Sequence, residues 1–291
     1  MTIEKKLTVS ASPHVRSATT TTGIMMDVII ALVPSLIAAV AIFGFRVLAV
    51  VAVTVGTSVL SEYIARKVMK RPGTLSDLSA VVTGLILAFN LPVTIPLWMA
   101  AIGSMAAIIV VKQFFGGIGQ NFVNPALMAR IILFLSFTEA MTKWTAPFAW
   151  KNGVAAMTTA SPLGQINNAV MGGSLEGLPT LTQMFFGQRA GSIGEVCAAA
   201  LVIGGLFLLF RGVIHPAIPF AYIGTVAVFM LIAGKGDLTL VAYELMGGGL
   251  LLGAIFMATD YSTSPINLKG KIIFGIGCGL LTAAIRLFAS M

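Results

Sequence analysis

LILAFNLPVTIP, Leu85 to Pro96, is an apolar run that stops reading as helix halfway along. Asn90 and Leu91 lead into Pro92, which lacks a backbone donor and biases the residue before it away from the helical region. IFMATDYSTSPI, Ile255 to Ile266, breaks in the same manner, with Thr259 to Ser264 forming a polar stretch before Pro265. These runs fall in the third and eighth of nine apolar spans, five apart, and so cross a membrane in opposite directions. Paired breaks in antiparallel halves are the sequence sign of an inverted repeat. The plainer reading is two helix ends with polar caps. Interrupted backbone at membrane depth is tolerated only where protein buries it or where it lines a cavity, so both runs are candidate functional segments.

The bulk composition requires the membrane. Charged residues are 10% of 291 and hydrophobic ones 57%, with a mean hydropathy of +0.98; a soluble domain carries about 25% charge. A soluble chain this size must still cover its outside with polar groups, which these numbers do not allow. The net charge of +8 then reads as the lysine and arginine bias of inner loops, and no nucleic-acid partner is expected. Cys197 and Cys278 lie in separate apolar runs without a CxxC or Cys/His neighbour. They read as small buried hydrophobes, and no metal or iron–sulfur site is expected. His14 and His215 each adjoin a proline and read as loop residues.

A helix needs about 20 apolar residues to cross the hydrocarbon core. Candidate spans are roughly 24–44, 47–65, 76–90, 95–112, 121–137, 193–210, 216–233, 239–258 and 272–290. A tenth is possible if the glycine-rich bend after Lys112 hides a broken helix. The fold class is therefore an all-α polytopic membrane protein of nine or ten helices. Residues 1–23 form a polar cytoplasmic leader, 24–137 a first transmembrane half, 138–190 a long loop, and 191–291 a second half. With the N-terminus inside, Lys5, Lys6, Arg16, Arg66, Lys67, Lys70, Arg71, Lys112, Arg211, Lys269 and Lys271 fall on the cytoplasmic side. Arg46, Lys143, Lys151, Arg189, Lys235 and Arg286 fall on the other, the shorter list, as the positive-inside rule asks. Residues 138–190 are then extracytoplasmic.

Three charges stand apart. Arg130 lies near the middle of its span unless the helix starts at Pro125, a favoured first-turn residue. It reads either as an interfacial anchor or as a ligand for an anion, such as a cofactor phosphate or a partner carboxylate. Glu244, inside the eighth span, poses the same question with opposite sign. Glu62 reads as a residue of a helix end. Intramembrane acids make Asp260 and Glu244 candidates for an ion path.

The loop 138–190 is rich in amides and in aromatics, among them Trp144, Phe148, Trp150, Phe185 and Phe186. Loops of this length inside a packed protein are uncommon unless functional or disordered, and the aromatic content argues against disorder. Some aromatics belong to the interfacial belt; others could stack on a flat ring. At its centre is MTTASPLGQINNA, Met157 to Ala169. Ser161 precedes Pro162, so its backbone is extended or turning and its hydroxyl is available as a nucleophile. A turn with local Ser/Thr hydrogen bonds explains these residues equally well.

TTASPL resembles the flavinylation motif of the D subunit of the Rnf electron-transport complex and of its relative, the B subunit of the sodium-pumping NADH:quinone reductase. That motif reads D-x-x-[ST]-[GT]-A-[TS]-P-L, with FMN joined through its phosphate to the hydroxyl residue before the proline. SASPHVRSATTTTGIMMDVIIALVP (Ser10–Pro34), GGIGQNFVNPAL (Gly116–Leu127) and IFMATDYSTSP resemble the same family in matching order. The resemblance thus covers nearly the whole chain. It implies covalent FMN on Ser161, with Thr159 and Thr158 as alternatives, and it implies urea- and ammonium-channel-like inverted repeats. It further implies a place in a ferredoxin:NAD+ oxidoreductase that moves Na+ or H+ across a bacterial or archaeal cytoplasmic membrane. The A, B, C, E and G subunits of that complex and a flavin transferase would be the partners. A non-covalent riboflavin would sit near the Asn124-Pro125 and Thr259–Ser264 segments, with Asn124 and Arg130 as cofactor contacts. There are two departures: serine stands where threonine is commoner, and Ala155 stands where the motif has its acid. No nicotinamide or ferredoxin site of the chain's own is expected, since it has no GxGxxG after a strand. The rival readings are a small-solute channel and a structural membrane scaffold.

Overall fold

The computed structural model describes residues 19–71, 73–152, 158–159, 163–166 and 177–288, with residues 152, 158 and 159 described by backbone alone. Helix α1 (Thr21–Phe43) starts where the Thr20 hydroxyl accepts from the Gly23 N–H, and stops at Gly44. The threonine run thus supplies a side-chain cap for orphan donors. Helices α2 (Arg46–Val68), α3 (Ser79–Phe89) and α4 (Leu97–Met105) follow. α4 continues without a stop into wider π-helical turns over Ala106–Gln113. Residues 114–124 are turns, so the glycine-rich bend there contains no tenth helix.

Helix α5 (Pro125–Ser136) has Pro125 in its first turn, and the Asn124 side chain accepts from the N–H groups of Ala126 and Leu127. This is the start that proline and a capping amide dictate. The long loop holds α6 (Thr138–Thr142), a two-stranded ribbon of β1 (Trp144–Thr145) and β2 (Thr158–Thr159), a helical turn at 163–166 and α7 (Leu181–Phe186). The second half contains α8 (Ala198–Phe210), α9 (Ala217–Ala233), α10 (Leu238–Met246), α11 (Leu250–Leu252, running on as π-helix over Gly253–Met257) and α12 (Leu268–Phe288).

Helices α1, α2 and α12 are long and apolar enough to cross a membrane, and α10 with α11 passes the same test as a pair bent by 65°. Helices α3, α5, α8, α9 and the extended α4 are shorter apolar helices. The expected continuous span 239–258 is therefore corrected: it folds sharply at Gly247, Gly248 and Gly249. Gly248 has φ +59°, a conformation that glycine reaches without strain, and three glycines in an apolar run were the signal.

The core lies between the two halves, where Leu32, Val47, Leu87, Phe89, Leu133, Leu201 and Phe256 are buried together. A smaller cluster of Val226, Met230, Val241, Leu250 and Ala283 holds α9, α10 and α12. The outer faces carry exposed Ile37, Phe210, Phe220, Ile232 and Leu281. A greasy exterior of this kind is stable against lipid and not against water. Gly204 of α8 lets α1 approach: a Cβ there would run into the Ala31 carbonyl oxygen and meet Phe256 Cζ at 3.1 Å. Gly204→Val should destabilise the protein by about 1–3 kcal/mol or more through overpacking, read as an earlier melt of the detergent-solubilised chain.

Candidate functional site

Both sequence breaks are buried in protein. Asn90, Leu91 and Ile95 are almost fully buried. The carbonyls released at the end of α3 find new donors: Gly194 N–H gives to Phe89 O at 2.9 Å and Ile193 N–H to Leu91 O at 3.0 Å. The Arg46 guanidinium, expected in a loop, donates to Val93 O and Ile95 O. In the second break the Asp260 carboxylate accepts from the hydroxyls of Ser262 and Thr263, and Asn121 donates to Ser262 Oγ. With these partners in place, irregular backbone is stable at membrane depth.

The two breaks converge on one another. The Asn90 amide nitrogen donates to Ile86 O at 2.7 Å and lies 4.0 Å from Met257 Sδ, at the end of α11. Its oxygen accepts from Arg130 Nη1 at 2.8 Å. Arg130 is therefore more than an interfacial anchor: it is bound to the helix break forty residues earlier in the chain. Among the described residues it has no carboxylate within 4 Å, unlike Lys112, Lys143, Arg211 and Arg286.

Arg130 opens onto a cavity of about 730 Å³. Asn90, Asn124, Tyr222, Gly248, Met257, Cys278 and Arg286 share its wall, and Leu163 reaches it from the long loop. The two predicted contacts, Asn124 and Arg130, are thus brought together. A smaller cavity of about 110 Å³ lies against Ser79, Lys112, Asn121, Asn124, Thr259 and Asp260. Passing along α3 from Ile86 to Asn90, or along α5 from Pro125 to Arg130, leads from the small cavity to the large one, and Asn124 touches both.

Ser161, the preferred attachment point, lies outside the described residues. Thr159 pairs with Trp144 and Thr158 with Thr145 in the β ribbon, and their side chains are likewise outside the description. The segment after Ser161 is anchored: Ile166 is fully buried with Met184 and Tyr243. Side chains around the triple-glycine bend can be located from the glycines. A Cβ on Gly248 would meet Arg286 Nη2 at 3.2 Å and Leu163 Cδ2 at 3.3 Å; one on Gly249 would meet Glu195 Oε2 at 3.3 Å and Arg130 Nη1 at 3.7 Å. Two arginines and the loop leucine therefore crowd one bend.

Several charges sit elsewhere than the sequence suggested. Arg286, assigned to the outer side of the membrane, is buried and donates to Glu244 Oε2 and to the carbonyls of Glu244 and Gly247. Glu244 is thereby neutralised by a partner, and its claim to an ion path weakens. Glu62, read as a helix-end residue, is also buried: it accepts from Lys112 Nζ at 2.8 Å, Gln113 Nε2 at 3.0 Å and Thr74 Oγ1 at 2.8 Å. Lys112, counted as a cytoplasmic surface charge, is 2% exposed. The π-helical turns preceding it change the facing of the last residues of that helix, a device common at functional sites and invisible to a 3.6-residue period. Arg189, counted with the outer loops, is buried on the carbonyls of Glu195 and Val196. The two cysteines are half-buried, and Cys278 borders the large cavity. His215 is a loop residue as expected, its Nδ1 accepting from Ala217 N–H.

Comparison with known proteins matches the family described as NQR2, RnfD, RnfE over residues 8–291. The D subunit of the Na+-translocating ferredoxin:NAD+ oxidoreductase complex of Acetobacterium woodii is 46% identical, over 98% of this chain and 86% of that protein. Its counterpart in the proton-translocating ferredoxin:NAD+ oxidoreductase complex of Clostridium ljungdahlii is 42% identical, over 96% and 86%. The D subunit of the ion-translocating oxidoreductase complex of Stutzerimonas stutzeri is 35% identical, over 90% and 82%. With a match spanning all but the first residues, and relatives this similar along most of their length, the chain belongs to the NQR2, RnfD, RnfE family.

Proposed function

We propose that the chain is the D-type membrane subunit of an ion-translocating ferredoxin:NAD+ oxidoreductase, carrying FMN as a phosphodiester on Ser161. The names of its relatives support the complex, and favour the redox reading over a solute channel. The A, B, C, E and G subunits are its proposed neighbours. The membrane is the cytoplasmic one, crossed by nine spans in an inverted-repeat arrangement, with residues 138–190 on its outer face. The relatives are named for different ions, so the ion moved does not follow from them.

One observation carries the cofactor reading. Leu163, two residues after Ser161, forms part of the wall of a cavity that also holds Arg130 and Arg286. Two residues of chain span at most about 7 Å, so that space is within covalent reach of a group attached at Ser161. Its volume suits a drug-sized ligand, its wall offers Tyr222 and Phe274 as flat faces, and its cations suit a phosphodiester. Attachment needs a transferase and a pyrophosphate-linked flavin nucleotide. The Ser161 oxygen bonds to the flavin-side phosphorus, the bond to the other nucleotide's phosphate breaks, that nucleoside monophosphate leaves, and the hydroxyl proton goes to water. Once attached, FMN supplies one-electron exchange at a fixed place. The chain's own residues hold the loop by Ile166 and Leu163 and set the charge around it. A non-covalent riboflavin is also proposed beside the Asn124-Pro125 and Thr259–Ser264 segments, since Asn124 and Thr263 both line the cavity of about 730 Å³.

The test is a denaturing gel of the chain co-expressed with its transferase. The wild-type band should fluoresce, Ser161→Ala should be dark, and Thr159→Ala should stay bright. A dark wild-type band removes the proposal, and the reverse pattern for the two variants moves the attachment to Thr159.

A further inference from the structure

We infer that the groove between α9 and α12 binds one anionic phospholipid: an acyl chain lies along the groove, and the lipid phosphate sits at its end on Lys269 and Lys271. The site is built from these two helices alone and does not depend on where Ser161 lies.

The groove follows from how the helices pack. A Cβ on Gly275 would meet Ala221 Cβ at 2.7 Å, and one on Gly279 would meet Thr225 Cβ at 2.6 Å. Small residues bring the backbones together here as they do between membrane helices. Both contacts step four residues in the same sense, so the two helices run in the same direction. Beside this seam lies an open groove of about 540 Å³, walled from Phe220 to Ile232 on α9 and from Ile272 to Leu280 on α12. Among the described residues its one polar side chain is Thr225, whose hydroxyl donates to Ala221 O. Gly224 widens it, since a Cβ there would meet nothing within 4 Å.

Length and width select an acyl chain. At 1.5 Å per residue the wall from Phe220 to Ile232 is about 18 Å long, close to half of a hydrocarbon core of about 30 Å. The same length of helix, about 10 Å across, would fill roughly 1,400 Å³ and cannot enter. Charge selects the headgroup. Ile272, Ile276 and Leu280 recur every four residues and share one face of α12. Lys269, three residues before Ile272, continues that face past the apolar run and is exposed; Lys271 stands in the same first turn, half-buried. That turn opens a helix long enough to cross the membrane, so both ammonium groups lie where lipid phosphates are. Neither helix contains an acid, and Asp260, the acid nearest in sequence, accepts from Ser262 and Thr263.

The other face of α12 faces inward, where Phe274, Cys278, Thr282 and Ile285 wall the large cavity. A chain in the groove thus backs that wall from the membrane side and steadies its shape.

The test uses the full chain in phosphatidylcholine nanodiscs with a minor share of phosphatidylglycerol carrying a diazirine in its acyl chain. After illumination, peptide mass spectrometry should place the label on the groove residues of α9 and α12. Lys269→Gln and Lys271→Gln should each lower the labelling about fivefold, the equivalent of about 1 kcal/mol for one lysine at an anionic surface, and Lys269→Arg should retain it. Gly224→Leu, which fills the groove from open space, should abolish the label there and keep the wild-type melt in lipid-free detergent. Added phosphatidylglycerol should raise the melt of the wild type and not that of Gly224→Leu. If Gly224→Leu does not fold, the two exposed-end lysine variants decide alone. A phosphatidylcholine probe that labels the groove as strongly, with no effect of the lysine changes, overturns the assignment, because any bilayer lipid would then do. Label spread evenly over the outer faces overturns it too, as does undiminished labelling of folded Gly224→Leu. A groove labelled in the isolated chain but closed to the probe in the assembled complex also overturns it, since the place would then belong to a partner's helix.

Discussion

Lys112→Met should lower the stability of the protein by about 3–5 kcal/mol, the cost of leaving one member of a buried ion pair without the other. The Glu62 carboxylate, 1% exposed, would keep Gln113 and Thr74 as donors but lose the Lys112 ammonium at 2.8 Å, and the Ser79 hydroxyl would lose the same ammonium, which it binds at 2.6 Å. The readout is the thermal midpoint of the purified chain in detergent. Glu62→Gln should be comparably harmful, because it strands the ammonium. The double variant Glu62→Gln/Lys112→Met should be milder than either single change, since neither member of the pair is then left charged without the other. Additive losses in the double variant would show that each residue acts through separate contacts and that the pair is incidental.

Arg286→Leu is expected to be of similar size, about 3–5 kcal/mol, and to act at a different place. Glu244 is fully buried and its Oε1 already has no partner among the described residues, so removing the guanidinium takes away the partner of its other oxygen as well. The carbonyls of Glu244 and Gly247 lose their donor as well, which unties the triple-glycine bend from α12. Limited proteolysis should then open the region around Gly247 before the rest of the chain. Arg286→Leu/Glu244→Leu should regain most of the midpoint, whereas a bend that stays protected in Arg286→Leu alone would mean that the glycines hold their shape unaided.

Where the helices lie was legible, because twenty-residue apolar runs and proline leave strong marks: Asn124 with Pro125 opens α5 as its sequence dictates, and both interrupted runs do break. What the interior charges do was much less legible. Glu62, Lys112, Arg189 and Arg286 each sit close to the end of an apolar stretch, where the positive-inside rule and snorkelling offer an inexpensive home. Their partners lie 42 to 50 residues away for Arg286 and Lys112, a distance no local pattern encodes. Arg130 was recognisable as unusual from its depth, yet its link to Asn90 depended on two broken helices meeting. The triple glycine in the eighth span was visible and carried more meaning than its hydrophobic neighbours suggested.

The contact between Asn90 and Met257 has an electrical consequence. If water fills the small cavity on one side of it and the large one on the other, the insulating part of the protein shrinks to a single layer of side chains. A transmembrane voltage would then fall steeply over that layer instead of gently across the whole bilayer. A charge crossing there would meet nearly the full field, about 2.3 kcal/mol per elementary charge for every 100 mV, and Arg130 stands beside the step.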